Sequence, residues 1–127
     1  VIVSTQSRSE GEQQFQALPS LEFQNLKVGI LINDRSASAA EVFTAALKEH
    51  GRAWVMGEKS YGKGVVQKLF PLSNGAALQM TVSHYYTPSG RMIEGVGIAP
   101  NQVYPMPHEL KDESYVEHVA EILMNRR

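Results

Sequence analysis

The segment from residue 26 to residue 56 constrains the fold most, because it reads as a strand, a helix and a second strand in close succession. Residues 26–32 are a nearly continuous apolar run, as expected of a strand covered on both faces, and residues 53–56 form a second such run. Apolar and charged residues between them fall on opposite sides of a predicted helix: Val42, Phe43, Ala46 and Leu47 against Glu41, Lys48 and Glu49. His50-Gly51 ends that helix. This order predicts a parallel crossover unit.

Further strands are predicted on both sides of this unit. Residues 1–5 read as a short strand, and residues 65–72 and 77–86 as a pair joined by the hairpin signal Ser73-Asn-Gly75. Residues 6–14 are polar and predict a turn or a mobile loop, and residues 87–90 predict a turn. A looped stretch then ends near Pro107. Asp112 can cap a last helix with an apolar stripe of Val116, Val119, Ala120 and Leu123.

Length and composition exclude several classes of protein. The 127 residues suffice for one modest α/β domain, and the net charge of −1 gives no footprint for nucleic acid or for an anionic membrane surface. No cysteine is present, which rules out disulfides, thiolate chemistry and cysteine-bound zinc within this sequence. No apolar run approaches the roughly 18–20 residues of a membrane span. Because the chain opens at Val1 rather than Met, we expect it to be a piece of a longer protein.

Ser38 and Lys63 are the residues with the most specific chemistry. Ser38 lies among small residues at the predicted helix start, and Lys63 lies between two glycines in Gly57-Glu-Lys-Ser-Tyr-Gly-Lys-Gly64. A hydroxyl becomes a useful nucleophile when a base removes its proton, and a desolvated, neutral lysine amine can be that base. Unpaired N–H groups at a helix start can bind a developing oxyanion, and the Ala39 N–H is the natural donor. The plainer interpretations are a helix cap, which Ser36 could equally supply, and a solvated loop lysine.

Other kinds of site find less support. The run from Gly57 to Lys63 satisfies most of a phosphate-loop pattern, but Gly64 follows in place of a hydroxyl residue and the next segment is strand-like, so no nucleotide is expected. His50 suits a helix C-terminus and His84 a packed strand face, while no metal-ligand spacing occurs, so no metal or other cofactor is expected. A Ser-His-Asp triad is not ruled out by sequence, but nothing local supports it.

Gln67 follows Lys63 by four residues. If a strand began at Lys63 the two side chains would share a face about 13 Å apart, so a bend at Gly64 would be needed for the amide to orient the amine. The plainer interpretation is an ordinary polar strand residue.

Four blocks of sequence together resemble the carboxyl-terminal processing (tail-specific) proteases. They are residues 36–41, 50–52, 57–67, and 85–91 followed by 95–100. The resemblance implies a nucleophile at Ser38, a general base at Lys63, Gln67 holding that base, and an oxyanion donor at the Ala39 N–H. It also implies a protease core related to the crotonase and ClpP folds, protein or peptide substrates cleaved near their C-termini, and a cell-envelope or periplasmic location. Arg35, where glycine is common, and Ala40, where serine is common, are minor departures.

Two parts of the family pattern are not found in residues 1–127. These are the peptide-binding PDZ domain and a glycine-pair segment that supplies the other oxyanion donor. The whole sequence is therefore interpreted as the C-terminal portion of a Ser-Lys endopeptidase catalytic core, incomplete and weakly active or inactive alone. We expect no nucleic-acid or nucleotide partner, and self-association through uncovered strand edges. The rival interpretation is a non-catalytic module that binds peptides at a sheet edge.

Overall fold

The computed structural model describes residues 1–19, 22–105 and 113–125. Seven strands and two helices follow one another along these residues. In chain order they are β1 (Val3–Ser7), β2 (Gly11–Phe15), β3 (Gly29–Ile32), α1 (Ala39–Glu49), β4 (Trp54–Gly57), β5 (Val65–Pro71), β6 (Ala77–Tyr86), β7 (Gln102–Val103) and α2 (Glu113–Met124). The predicted α/β class is confirmed.

The strands form two sheets of different character. A four-stranded antiparallel sheet has the order β2-β1-β6-β5, and a three-stranded parallel sheet has the order β3-β4-β7. In the parallel sheet Gly29 lies opposite Trp54 and Ile32 opposite Gly57, with α1 as the crossover. The predicted parallel crossover unit is therefore confirmed. Ser38 lies in the connection that follows β3, and Lys63 lies in the loop that follows β4.

The predicted hairpin and turn are also present. Gly75, at a φ of 84°, closes the β5–β6 connection by donating its N–H to the Leu72 carbonyl. Gly90, at a φ of 80°, donates to the Thr87 carbonyl in the predicted turn. Between Val66 and Gln67 the pairing register of β5 with β6 shifts, which marks a β-bulge beside the start of the strand.

The core lies between the parallel sheet, α1 and the loop that follows β6. Its fully buried members are Ile32, Ala45, Val55, Ile93 and Ile98, with Ile30, Val42 and Tyr85 packed against them. The predicted helix faces are wrong at two positions. Phe43 is 58% exposed, whereas Glu41, assigned to the solvent side, is only 1% exposed. The error arose because Glu41 is buried by hydrogen bonding rather than by apolar contact.

Several predicted element bounds need correction. Residues 6–14 do not form a loop: β1 continues to Ser7 and β2 begins at Gly11, because paired polar strands lack the apolar alternation that marks a half-buried strand. The strand expected over 26–32 is only Gly29–Ile32, and β7 lies inside the stretch interpreted as loop.

The final helix is confirmed as α2, but not all residues of its predicted apolar stripe are buried. Val119 is buried and Leu123 half-buried, whereas Val116 and Ala120 are exposed. The proposed cap Asp112 lies outside the described residues. Neither described helix is both long and apolar enough to cross a membrane.

Candidate active site

Ser38 occupies a sharp turn between the end of β3 and the start of α1. Its φ is 56° and its ψ is −117°, a positive-φ conformation that residues other than glycine rarely adopt. Residues held in such regions cost of order 1–3 kcal/mol and cluster at functional sites. A strained turn between a strand and a helix is also how nucleophilic serines are presented in other hydrolases. Ser38 is the N-cap of α1, and its positive φ is unusual for a residue in that position.

The amides at the start of α1 are not equally occupied. The Ser38 carbonyl accepts the N–H groups of Glu41 and Val42 at 2.9 and 3.1 Å, and the Ala40 N–H donates to the Ala37 carbonyl at 3.2 Å. The amides of Glu41 and Val42 thus already have a backbone acceptor at Ser38. Within the described residues the Ala39 N–H has no acceptor, and Ala39 is exposed. A donor suitable for an oxyanion thus lies directly beside Ser38.

Glu41 ties the serine turn to the lysine loop. Its Oε2 accepts the N–H groups of Ser38 and Lys63 at 2.9 and 2.8 Å. Its Oε1 accepts the Ser60 hydroxyl and the Gly62 N–H, both at 2.6 Å. A buried carboxylate is tolerated only when its lone pairs are satisfied, and four donors do so here. The main chains of Ser38 and Lys63 are therefore held next to one another.

Lys63 itself is exposed, in the loop between β4 and β5. Gly62 adopts a φ of 91°, and Gly64 donates its N–H to Glu94 Oε2 at 2.6 Å. The predicted desolvation of the lysine is therefore not present in this chain. Any burial of the amine has to come from a bound peptide or from another part of the protein.

Lys63 and Gln67 line the same open cavity, of about 730 Å³. Tyr61, Glu94 and Ala37, the residue before Ser38, also contribute to its wall, with Asp34 and Arg35. Gln67 lies just past the β-bulge, and its Oε1 accepts the Gln79 Nε2–H at 2.7 Å. The structure therefore brings Lys63 and Gln67 to one cavity, although β5 begins at Val65 and not at Lys63.

The phosphate-loop alternative is disfavoured by the contacts of the glycine loop. The amides of residues 62–64 donate to the carboxylates of Glu41 and Glu94, so they are not available to an anion. The segment that follows is β5, whereas a phosphate loop opens a helix. Among the described residues no three His, Asp or Glu side chains come together as a metal site.

Sequence reasoning missed two residues that shape this site. Glu41 was assigned to a solvated face and Glu94 was not singled out, yet both carboxylates bond the lysine loop. The pattern Ser38-x-x-Glu41 is that of a capping box, in which the glutamate bonds the N-cap amide, and it could have indicated the inward position of Glu41. No local pattern points to Glu94, because its partner Gly64 lies 30 positions away.

A strained serine on a strand-to-helix turn, tied to a lysine-bearing loop in an α/β domain, is the arrangement of a candidate serine-hydrolase site. The chain belongs to Peptidase family S41, whose family model matches residues 1–104. It is 41% identical over 115 residues to a carboxy-terminal-processing protease of Bartonella bacilliformis. The aligned region covers 90% of this chain and 26% of the relative. The predicted resemblance is thereby confirmed.

Two further similar proteins support the same family assignment. A chloroplastic carboxyl-terminal-processing peptidase 2 of Arabidopsis thaliana is 44% identical over 87 residues, 68% of this chain and 16% of the relative. The solved photosystem II D1 C-terminal processing protease superposes with a TM-score of 0.76 at 28% identity, over 96% of this chain and 31% of that one. The chain thus spans about a quarter of the length of the Bartonella relative and less of the Arabidopsis one.

Proposed function

We propose that this chain carries the nucleophile and the general base of a serine endopeptidase that cleaves proteins near their C-termini. The observation that carries the proposal is the bonding of the strained Ser38 turn and the Lys63 loop to one buried carboxylate, Glu41. The relatives are named as carboxyl-terminal processing proteases, and this supports the proposed substrate class. The same relatives are several times longer, which supports the view that residues 1–127 are one portion of a larger catalytic unit.

The proposed reaction proceeds through an acyl-enzyme. The Ser38 Oγ attacks the peptide carbonyl carbon while the neutral Lys63 amine takes the hydroxyl proton. The carbonyl oxygen becomes an oxyanion that accepts a hydrogen bond from the Ala39 N–H. The C–N bond then breaks, and the Lys63 ammonium returns its proton to the leaving amine. Water, deprotonated by the same amine, hydrolyses the ester and restores the Ser38 hydroxyl.

This role requires Lys63 to be neutral when it acts. An amine loses its proton more readily when water is removed from around it, because burial disfavours the charged form. Lys63 is exposed here, so we infer that the bound peptide and another part of the catalytic core cover it. The glycines on either side present no side chain that would obstruct such an approach.

Gln67 would orient the lysine. One amide oxygen has two lone pairs, so the hydrogen bond from Gln79 leaves Gln67 Oε1 able to accept a second one from the Lys63 amine. The β-bulge at this point supports the role, since bulges re-aim side chains next to active sites.

We also propose an envelope or periplasmic location for the protein. The Arabidopsis relative is described as chloroplastic.

A serine-directed fluorophosphonate tests the proposal. The full-length protein that contains this chain is treated with the reagent, and the modified residue is located by mass spectrometry. We expect labelling at Ser38, lost in Lys63→Ala and retained in Lys59→Ala, a matched change at an exposed lysine of the same loop.

Labelling at another serine, or none, would contradict the assignment. If the full-length protein instead binds peptides without labelling, the non-catalytic module that recognises peptides at a sheet edge becomes the better account. The edge strands β2 and β5 are where such a peptide would add.

A further inference from the structure

Three consecutive amides around Lys63 all donate to carboxylate oxygens. The Gly62 N–H bonds Glu41 Oε1 at 2.6 Å, the Lys63 N–H bonds Glu41 Oε2 at 2.8 Å, and the Gly64 N–H bonds Glu94 Oε2 at 2.6 Å. Hydrogen bonds to an ionised acceptor are shorter and stronger than those between neutral groups. The backbone on both sides of the lysine is therefore fixed by two acidic side chains from different parts of the chain.

The two carboxylates and the three amides that they accept, those of residues 62–64, are called the clamp below. Glu41 supplies one side of the clamp from α1. Besides the two loop amides it accepts the Ser60 hydroxyl, and Ser60 Oγ in turn accepts the Ile98 N–H at 2.6 Å. The helix start, the lysine loop and the loop after β6 thus meet at one buried carboxylate. Glu41 is only 1% exposed, so its carboxylate lies within the protein interior.

Glu94 supplies the other side from the loop after β6. The Gly95 N–H donates to the Gly62 carbonyl at 3.0 Å, so the two loops are bonded in both directions. A Cβ at position 64 would lie 2.8 Å from the Ile93 Cβ, which shows how closely the Gly64 backbone packs on that loop. Glu94 also lines the cavity that holds Lys63 and Gln67.

Within residues 62–64, Lys63 alone has a side chain, so the clamp fixes the main chain and leaves the amine free to reach into the cavity. We propose that Glu41 and Glu94 are positioning residues, which set the distance of the Lys63 amine from Ser38 by holding the three amides. The inference rests on the proposed function, and it assigns neither carboxylate a contact with the reacting atoms. A misplacement of about 1 Å in a catalytic group costs on the order of 10²-fold in rate.

The test compares Glu94→Ala and Glu94→Gln in the full-length protein, with Asn101→Ala as the matched control. Asn101 Oδ1 accepts the Val55 N–H at 2.9 Å, so its loss also removes a side-chain acceptor from a backbone amide, but away from the lysine loop. We measure kcat, KM and the pH profile of kcat per folded molecule. In parallel, hydrogen exchange of the Gly64 amide reports on the clamp without any need for activity.

A positioning role predicts that Glu94→Ala lowers kcat on the order of 10²-fold with little change in KM, and that Gly64 exchanges faster. Glu94→Gln, which keeps an acceptor oxygen, should restore kcat and leave the pH profile unchanged. Glu41→Gln should lower kcat as well, because an amide offers one oxygen to four donors.

Two results would overturn the clamp. One is a Glu94→Ala variant that keeps kcat and Gly64 protection as Asn101→Ala does, and the other is a Glu94→Gln variant as impaired as Glu94→Ala. If the wild-type protein cleaves nothing while Gly64 exchange still depends on Glu94, the proposed function fails and the clamp remains as a structural fact.

Discussion

The main-chain N–H groups of Ser38 and Lys63 donate to the same oxygen atom, Glu41 Oε2, at 2.9 and 2.8 Å. Twenty-five positions apart in the sequence, the two residues are brought together by one buried side chain. Because the carboxylate lies on the first turn of α1, it bonds the helix start directly to the lysine loop. This contact supports a joint chemical role more directly than either residue's own surroundings.

The Ala39 N–H, which has no acceptor among the residues that the structure describes, should be needed for catalysis but not for folding. Replacing Ala39 by lactic acid, so that an ester oxygen stands in place of the N–H, should lower kcat by about 10²–10³-fold, the cost of losing one oxyanion donor. The matched control is the same replacement at Ala40, whose N–H already donates to the Ala37 carbonyl. That variant should lose some stability and keep its kcat. Equal kcat for the two esters would place the oxyanion donor elsewhere.

Much of the fold could be predicted because local patterns agree with it. The apolar runs around α1 predict β3 and β4, and Ser73-Asn-Gly75 predicts the β5–β6 hairpin. The polar strand β2 escaped prediction because it is exposed along its whole length, so its side chains carry no periodic signal. Its partner β1 determines its conformation through backbone pairing alone.

The candidate site was predictable only in part. Residue types and the family resemblance pointed to Ser38, Lys63, Gln67 and Ala39 as candidates, but only the capping-box pattern at Glu41 hinted at the contact that joins the two loops. Glu41 and Glu94 act over separations of 22 and 30 positions, and no local pattern encodes such a contact. The exposure of Lys63 agrees with the plainer interpretation of a solvated loop lysine and not with a desolvated amine, because its neighbours in the sequence do not determine what covers it.

The 127-residue chain alone should be a poor peptidase and should self-associate. Leu69 and Leu78 on the β5–β6 hairpin are 63% and 48% exposed, and β5 is an edge strand of its sheet among the described residues, so the hairpin offers both apolar surface and a strand edge to a second copy. Sedimentation should show oligomers that Leu69→Lys disperses. Leu18→Lys, at a position 89% exposed outside the strands, should leave them intact. A monomer with turnover equal to the full-length protein would contradict this expectation.

The Glu49–Arg91 ion pair should make stability depend on pH. Burial alone would raise the pKa of Glu49, but hydrogen bonds from Arg91 and from the Ser89 amide outweigh it and hold the pKa below its usual value. A carboxyl with a lowered folded-state pKa stabilises the fold above its unfolded pKa, near 4.3, and this contribution is lost as the pH falls through the folded value.

Glu49→Gln should therefore lower the free energy of unfolding near pH 7 and change it less near pH 3. Arg91 is 66% exposed, so the effect should be about 1 kcal/mol or less. Urea denaturation followed by the fluorescence of Trp54, the one tryptophan of the chain, measures it. An equal effect at both pH values would show that the pair does not discriminate between the charge states of Glu49.

Lys63→Arg should be as inactive as Lys63→Ala. The guanidinium keeps a positive charge and reach similar to lysine, but it cannot lose its proton near neutral pH and so cannot be a base. Gln67→Ala should be milder than either, since it removes an orienting contact and not the reacting amine. Peptide cleavage by the full-length protein checks the order, with Lys59→Arg as the control for a charge-preserving change in the same loop. Full turnover by Lys63→Arg would show that the amine is not the base.

Restoring an amine at position 63 by chemistry tests the Ser38–Lys63 assignment most directly. The test uses the full-length protein with any cysteine outside residues 1–127 replaced by serine. Because residues 1–127 contain no cysteine, Lys63→Cys then introduces a single thiol that bromoethylamine converts to an analogue of lysine. Lys59→Cys, treated alike, is the control. We expect that Lys63→Cys neither cleaves peptide nor labels at Ser38, and that aminoethylation restores both. Unimpaired activity of untreated Lys63→Cys, or a folded aminoethylated protein that stays inactive, would contradict it.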